Sequence, residues 1–224
     1  MSTSSFDSHV LFLAVGAQAN HREVYADLIG KIKEKAVLIQ PLDSISTAIQ
    51  QLERPFHVVF VNSQVLINPQ NKEVWEAVLG YVRRGGTAIC IGDFSEISTT
   101  VPPRKPVRKP FADARLLWKF DEKHRADVYL NREYLSLPPH LMETLPKSYS
   151  AETIFLRNVE NKDVWYRPTE EDITPLEVVE AGHVNPFSFS VAMTKFGKGK
   201  LGYVGDCGGA TPTSILMAMA GLTK

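Results

Sequence analysis

Cys207 is a candidate nucleophile, because it follows a predicted strand and precedes two glycines. Glycine tolerates backbone angles that other residues avoid, so a turn here could present the thiol. A cysteine is a nucleophile only where a base or a cation holds it as the thiolate. His124 or His183 would supply that base if the chain were a cysteine-dependent hydrolase or amidase. The alternative is a small packing residue at a strand end.

The lysines and glycines just before Cys207 lack the spacing of a phosphate loop. A Walker loop reads GxxxxGK followed by Ser or Thr, and it joins a strand to a helix. Here the sequence GKGK at residues 197–200 lies between two predicted strands. The first predicted strand is followed by GAQANH, which is no GxGxxG fingerprint. No HxH, HxxxH or HExxH spacing occurs, so we predict neither a nucleotide cofactor nor a locally assembled metal site.

The elements that would position these residues alternate between strand and helix in the first half of the chain. Apolar runs occupy residues 10–15, 36–40, 57–62 and 87–92, and helical spacing occupies residues 22–35, 45–52 (capped by Asp43) and 72–84. Apolar strands that alternate with amphipathic helices predict a parallel sheet covered on both faces, with right-handed crossovers. We therefore predict a doubly wound, three-layer α/β fold in which residues 10–15 form a central strand.

Ligands of such a sheet bind in the crevice outside the carboxyl ends of its strands. The predicted strands end next to Gly16, Asn62, Asp93 and, later in the chain, Asp206 and Cys207. Because parallel strands end at the same edge of a sheet, we expect these five residues to lie side by side. They form the candidate crevice.

The second half of the chain is less regular. Residues 95–150 are predicted as an insertion or lid, and within it the sequence VPPRKPVRKP at residues 101–110 predicts an exposed, extended loop. The PxxP spacing from Pro103 to Pro106 could instead dock in an aromatic groove. A late hairpin is predicted from strands at residues 188–195 and 200–205, followed by an apolar helix at residues 213–222. The acidic run at residues 170–172 is typical of a solvated loop.

Composition narrows the class of protein. Lys and Arg together number 25, as do Asp and Glu, so the chain lacks the cationic excess of a general nucleic-acid binder. The apolar run at residues 10–15 is too short to cross a membrane or to form a signal-peptide core. Two cysteines are no disulfide framework. We predict one cytoplasmic domain over residues 1–224, with residues 1–8 as a flexible tail.

Two stretches resemble the class I glutamine amidotransferase-like superfamily. YVRRGGTAICIGDFS at residues 81–95 resembles its helix, double glycine and following strand, and VAMTKFGKGKLGYVGD at residues 191–206 resembles its late hairpin. LLWKF, HRADVYLN, LPKSYSAETIFLRNV and DVWYRP resemble a group of uncharacterised fungal proteins with this domain. The resemblance implies a flavodoxin-like sheet. It also implies that Trp118, His124 and Arg125 lie near the crevice if residues 95–150 fold back as a lid.

The same resemblance implies that glutaminase chemistry is missing. Active members carry a Gly-x-Cys-x-Gly elbow after a central strand and a His-x-Glu pair near the late hairpin. Here Cys90 has Ala88 two residues before it, which predicts that it lies inside the strand, and the late hairpin is followed by GDCGG. The implied function is a non-catalytic module that binds an unknown small molecule or protein partner. A small-molecule enzyme that uses carboxylates and Arg125 is a further alternative.

Overall fold

The computed structural model describes residues 8–17, 20–40, 44–95, 110–168 and 187–223. Within these residues the chain forms ten strands: β1 (His9–Leu13), β2 (Val37–Ile39), β3 (Val58–Val61), β4 (Thr87–Cys90), β5 (Lys119–Leu130), β6 (Ser148–Arg157), β7 (Val164–Arg167), β8 (Ser188–Phe189), β9 (Val191–Phe196) and β10 (Gly199–Val204). The helices are α1 (His21–Val24), α2 (Ala26–Lys35), α3 (Ile45–Leu52), α4 (Lys72–Arg83), α5 (Pro110–Asp113), α6 (Pro139–Thr144) and α7 (Thr213–Met219). None of the helices in these ranges is long and apolar enough to span a membrane.

Several predicted features lie outside the described residues. They are residues 1–7 of the tail, Asp43, residues 101–109 of the proline-rich basic loop with its PxxP spacing, the acidic run at residues 170–172, and His183.

The strands form one sheet in the order β2-β1-β3-β4-β10-β9-β7-β5-β6-β8. The first five are parallel, because β1 pairs with β2 and β3, β3 pairs with β4, and β4 pairs with β10 in the same direction. This confirms the prediction of a parallel sheet from the four apolar runs. The physical reason is that both faces of β1, β3 and β4 are apolar and covered, whereas β2 is a partly exposed edge strand. The prediction that residues 10–15 form a central strand was wrong, because β1 lies next to the edge strand β2 and β3 is the middle one of the five parallel strands.

Alternate residues of the parallel strands belong to two different cores. Leu11 and Leu13 pack in a first cluster with buried residues of α3 and α4, whereas Val10 and Phe12 pack in a second cluster with buried residues of α2 and α7. The sheet is therefore the middle of three layers, as the sequence predicted.

Two details of the first half differ from the prediction. The helix expected at residues 22–35 is divided at Tyr25 into α1 and α2. The N-cap of α3 is Ser44, whose hydroxyl accepts a hydrogen bond from the Thr47 amide at 3.1 Å. That contact satisfies an amide which would otherwise lack a partner at the helix start.

The second half of the sheet is antiparallel. The predicted hairpin is present as β9 and β10, with Gly197 at a φ of +61° in its turn. Residues 119–130, expected inside an insertion or lid, form β5, which pairs with β6 and β7 within the sheet. A register shift between Phe120 and Lys123 interrupts the alternation of β5, so its apolar residues look like two separate pieces in the sequence. β6 and β7 each pair with β5 and not with each other.

The antiparallel half curls back onto the parallel half. β8 is separated from β9 only by Ser190, yet β8 pairs with β6 while β9 pairs with β7 and β10. The chain that follows β10 also pairs with β6, because the Ile154 amide donates to the Gly205 carbonyl at 2.9 Å and the Cys207 amide donates to the Glu152 carbonyl at 3.3 Å. β6 therefore lies next to the carboxyl end of β10.

Candidate functional site

The carboxyl ends of β1, β3 and β4 are joined by hydrogen bonds. The Asn62 side-chain oxygen accepts from the Asp93 amide at 2.8 Å, and the Ser63 hydroxyl donates to the Val15 carbonyl at 2.5 Å. Gly16 has a φ of +65°, and a side chain there would lie 2.8 Å from Val65. Three of the residues predicted to line the crevice, namely Gly16, Asn62 and Asp93, thus belong to one network of loops.

Ser95 connects this network to the carboxyl end of β10. Its hydroxyl lies 2.6 Å from the Gly92 carbonyl, 3.5 Å from the Gly205 carbonyl and 3.8 Å from the Cys207 sulfur. The structure therefore brings Asp206 and Cys207 to the same edge as Asn62 and Asp93. Ser95 is fully buried and was missed by the sequence analysis, although it lies only two residues beyond Asp93.

The turn after β4 connects a parallel strand to the short helical turn at residues 92–94, and a nucleophile elbow requires a strand-to-helix connection of this kind. Gly92 has a φ of +53°. A nucleophile elbow needs such a strained strand-to-helix turn to expose its side chain. Here a β-carbon on Gly92 would collide with the Tyr25 hydroxyl and would lie 2.6 Å from the Asn62 side-chain oxygen. The turn has positive-φ geometry but no room for a side chain.

Cys90 lies within β4, as the sequence predicted, and not in this turn. It is fully buried in the first core cluster, and its burial raises the pKa of the thiol well above its usual value. A buried neutral thiol is a packing group, because nucleophilic attack requires the thiolate.

Asp206 organises the loop after β10. Its two carboxylate oxygens accept hydrogen bonds from the Gly208 amide and from the Thr211 amide, and the residue is 3% exposed. Gly209 has a φ of +74°, and a β-carbon there would lie 2.5 Å from Val24 on α1. The carboxylate is thus engaged by the backbone, and the loop is packed against the first helix.

Cys207 is partly exposed beside Ser95, and its thiol donates to the Gly205 carbonyl at 3.4 Å. His124 lies on β5 opposite Thr153, and Arg125 lies opposite Glu152. β6 therefore separates both residues from Cys207, which corresponds to two strand spacings, or about 10 Å between backbones.

Trp118 is 5% exposed and belongs to the first core cluster. Its ring lies 5.2 Å from that of Phe111, whose ring lies 6.1 Å from that of Phe94. Trp118 therefore packs, through Phe111, against Phe94 in the turn after β4. None of Trp118, His124 and Arg125 is carried by a lid in the described structure.

Three buried polar groups at the crevice have no hydrogen-bond partner in the described structure. They are the Asn62 side-chain nitrogen and the hydroxyls of Thr153 and Thr211, on residues that are 0%, 1% and 6% exposed. Thr153 lies opposite Asp206 in an isolated antiparallel bridge. A buried donor without a partner costs about 1–3 kcal/mol. Across the described residues, no group of three or more His, Cys, Asp or Glu residues could hold a metal ion.

Thr153 and Tyr25 could not have been chosen from the sequence. Thr153 lies in the middle of a strand, and Tyr25 lies between two helices in a segment with ordinary helical spacing. Their proximity to Asp206 and Gly92 arises only when distant segments pack together.

No family model matches the chain, and no curated protein matches it. Solved structures do match. A ThuA-like protein from Bacteroides uniformis superposes with a TM-score of 0.62 at 15% identity, covering 98% of this chain and 92% of that chain. A cytoplasmic protein from Salmonella typhimurium LT2 superposes with a TM-score of 0.55 at 10% identity, covering 96% of each chain.

The same fold also occurs as a portion of larger proteins. The β-galactosidase from Bacillus circulans sp. alkalophilus matches with a TM-score of 0.57 at 14% identity, and the match covers 96% of this chain but 30% of that chain. At these identities the likeness extends to the fold alone. The chain thus has the three-layer α/β fold of the ThuA-like structures.

Proposed function

We propose that this chain is a non-catalytic, flavodoxin-like domain of the class I glutamine amidotransferase-like type, which binds a small polar molecule in the crevice at the strand ends. The observation that carries this proposal is Gly92. It stands in the positive-φ turn after β4, where an elbow nucleophile would stand, and its surroundings exclude a side chain.

The rest of the crevice supports binding more than chemistry. Both carboxylate oxygens of Asp206 are occupied by backbone amides, so this carboxylate is poorly placed to move a proton. Asn62 and Thr153 offer unpaired donors instead. An amide nitrogen and a hydroxyl recognise the oxygen atoms of a neutral hydroxylated or amide-containing molecule.

Two features of the neighbours are compatible with this proposal. The fold is present in β-galactosidases as less than a third of the chain, which suits a domain that accompanies other activities. One neighbour is described as a cytoplasmic protein, and we propose a cytoplasmic location for this chain as well.

Binding is tested by Thr153→Val, which removes the unpaired hydroxyl and keeps the side-chain shape. We expect the free variant to be as stable as the wild type or more so, because a buried unpaired group is lost. Thermal shifts caused by a panel of sugars, polyols and carboxamides should then be present in the wild type and reduced in the variant. The control is Thr194→Val, a buried threonine on β9. Absence of any shift in the wild type, or an equal reduction in both variants, would contradict the proposal.

The alternative is a cysteine-dependent hydrolase, which the position of Cys207 at the crevice favours. Iodoacetamide alkylation of the native protein, followed by mass spectrometry, separates the two. We expect Cys207 to react no faster than a free thiol with a pKa of about 8.5, because a non-catalytic domain has no base that forms the thiolate. Rapid alkylation that Cys207→Ser abolishes, together with ammonia release from glutamine or another amide, would establish the hydrolase instead.

A further inference from the structure

A group of exposed cations lies at the edge of the sheet opposite the crevice. Lys195, Lys198 and Lys200 belong to the β9–β10 hairpin, and Arg83 and Arg84 belong to the end of α4; all five are exposed. We call them the basic tip. Lys200 pairs in register with Thr87, the first residue of β4, so the basic tip lies at the amino ends of the parallel strands.

The hairpin and the helix are fixed to each other. The Lys198 amide donates to the Arg83 carbonyl at 3.2 Å, and the Lys200 amide donates to the Gly86 carbonyl at 3.1 Å. A β-carbon on Gly199 would collide with the Gly86 and Val82 carbonyls, which shows how closely the two backbones approach. The backbones that carry the five cations are therefore fixed next to each other.

The charge of the basic tip is not neutralised within the described structure. None of its five residues forms an ion pair with the described acidic side chains. The guanidinium of Arg83 instead lies 4.9 Å from the centre of the Phe196 ring, and Arg84 donates to the Leu52 carbonyl at 2.8 Å. Both contacts leave the positive charge in place.

Lys195 and Lys200 stand directly opposite each other across the hairpin. Like charges in this position destabilise an antiparallel pair. The negative end of the α4 dipole accounts for Arg83 and Arg84, since cations stabilise a helix C-terminus. It does not account for two lysines placed face to face on neighbouring strands.

We propose that the basic tip is a docking surface for an acidic segment of a partner protein. An acidic segment would neutralise the opposed lysines and would remove their repulsion. The whole chain has equal numbers of cationic and anionic side chains, 25 of each, so it lacks the general excess that nucleic-acid binding uses. Because the basic tip and the crevice occupy opposite edges of the parallel strands, a partner could dock without covering the crevice.

The probe is a fluorescein-labelled peptide of ten glutamates, with binding followed by fluorescence anisotropy at low and at physiological salt. The variant Lys195→Gln/Lys200→Gln should weaken binding at least about tenfold at low salt, since the opposed pair contributes the densest charge. The control Lys31→Gln/Lys162→Gln changes the net charge equally at two exposed lysines that already have acidic partners. It should alter binding less than about twofold.

Three results would overturn the proposal. One is no measurable binding of the peptide to the wild type, and another is an equal loss in the two double variants. The third is tighter binding of a ten-nucleotide single-stranded DNA than of the peptide, which would assign the basic tip to nucleic acid.

Thermal melting of each variant checks folding, and removal of the opposed lysines should not lower the melting temperature. If it does, the single variant Lys198→Gln replaces the pair, with an expected loss of affinity of about threefold.

Discussion

Gly92 determines what the turn after β4 can do. Its φ of +53° is a conformation that costs other L-residues about 1–2 kcal/mol, and its α-carbon faces the Tyr25 hydroxyl and the Asn62 side chain. Both neighbours are almost completely buried, so neither moves aside freely. The position cannot acquire a nucleophile by a single substitution.

Gly92→Ala should therefore destabilise the protein by about 2 kcal/mol or more, through backbone strain and through the clash with Tyr25 and Asn62. Urea denaturation followed by circular dichroism measures the change in the free energy of unfolding.

The matched control for this prediction is Gly30→Ala on α2, where a β-carbon meets nothing within 4 Å. It should stabilise the protein by about 0.5–1 kcal/mol, because alanine favours the helix interior. Similar effects of the two substitutions would show that the turn after β4 is not constrained as described.

The sequence could place only part of the candidate site. Asn62, Asp93, Asp206 and Cys207 were predicted because each follows an apolar strand, and the end of a strand is a local signal. Tyr25 and Thr153 carry no such signal, because they reach the crevice through contacts between segments that are distant in sequence.

At the scale of the element, α4 carries a buried hydroxyl on its apolar face, that of Tyr81. The Tyr81 hydroxyl donates to the Phe56 carbonyl at 3.1 Å, and the residue is 3% exposed. Burial raises the pKa of Tyr81 to about 12, from an ordinary value of 10.0. Tyr81 thus joins α4 to the start of β3.

The raised pKa of Tyr81 predicts a loss of stability in alkali. The unfolded chain releases the proton near pH 10 and the folded chain only near pH 12, so the stabilising contribution is complete below pH 10 and declines as the pH rises from 10 to 12. The loss from this residue should reach about 2–3 kcal/mol.

Urea midpoints measured at intervals from pH 8 to about pH 12 would follow this loss. Tyr81→Phe should lower stability by about 1 kcal/mol at neutral pH, because the Phe56 carbonyl loses its partner. It should also reduce the decline above pH 10. Burial likewise raises the pKa of Tyr149, Tyr166 and Tyr203, so part of the decline should remain. An unchanged decline in Tyr81→Phe would contradict the assignment.

How well an element could be predicted depended on whether its pattern was continuous. The strands β1, β3 and β4 were recognisable because both of their faces are apolar, which gives an uninterrupted run. β5 was not recognised, although it has 12 residues. Its register shift moves the apolar positions out of phase halfway along, and neither part alone is long enough to indicate a strand.

At the scale of the whole molecule, the parallel and antiparallel halves form one sheet and meet at β10. β10 pairs with β4 on one side and with β9 on the other, and the residues after it pair with β6. The sequence analysis predicted the late hairpin. It could not predict this closure, because pairing between strands depends on contacts that leave no pattern in either strand.

The position of β10 in the sequence has a consequence for synthesis on the ribosome. β4 lies inside the sheet, but one of the two strands that pair with it, β10, is made of residues 199–204. Helix α7, which packs with α2 in the second core cluster, comes later still, at residues 213–219. When residues 87–90 have been synthesised, residues 91–224, which are more than half of the chain, have still to be translated. The nascent chain must therefore keep an open sheet edge and an uncovered apolar face until residues 199–219 have emerged. Folding from the N-terminus therefore cannot be completed before β10 and α7 have emerged, and exposed strand edges and apolar surface of this kind are prone to aggregate in nascent chains.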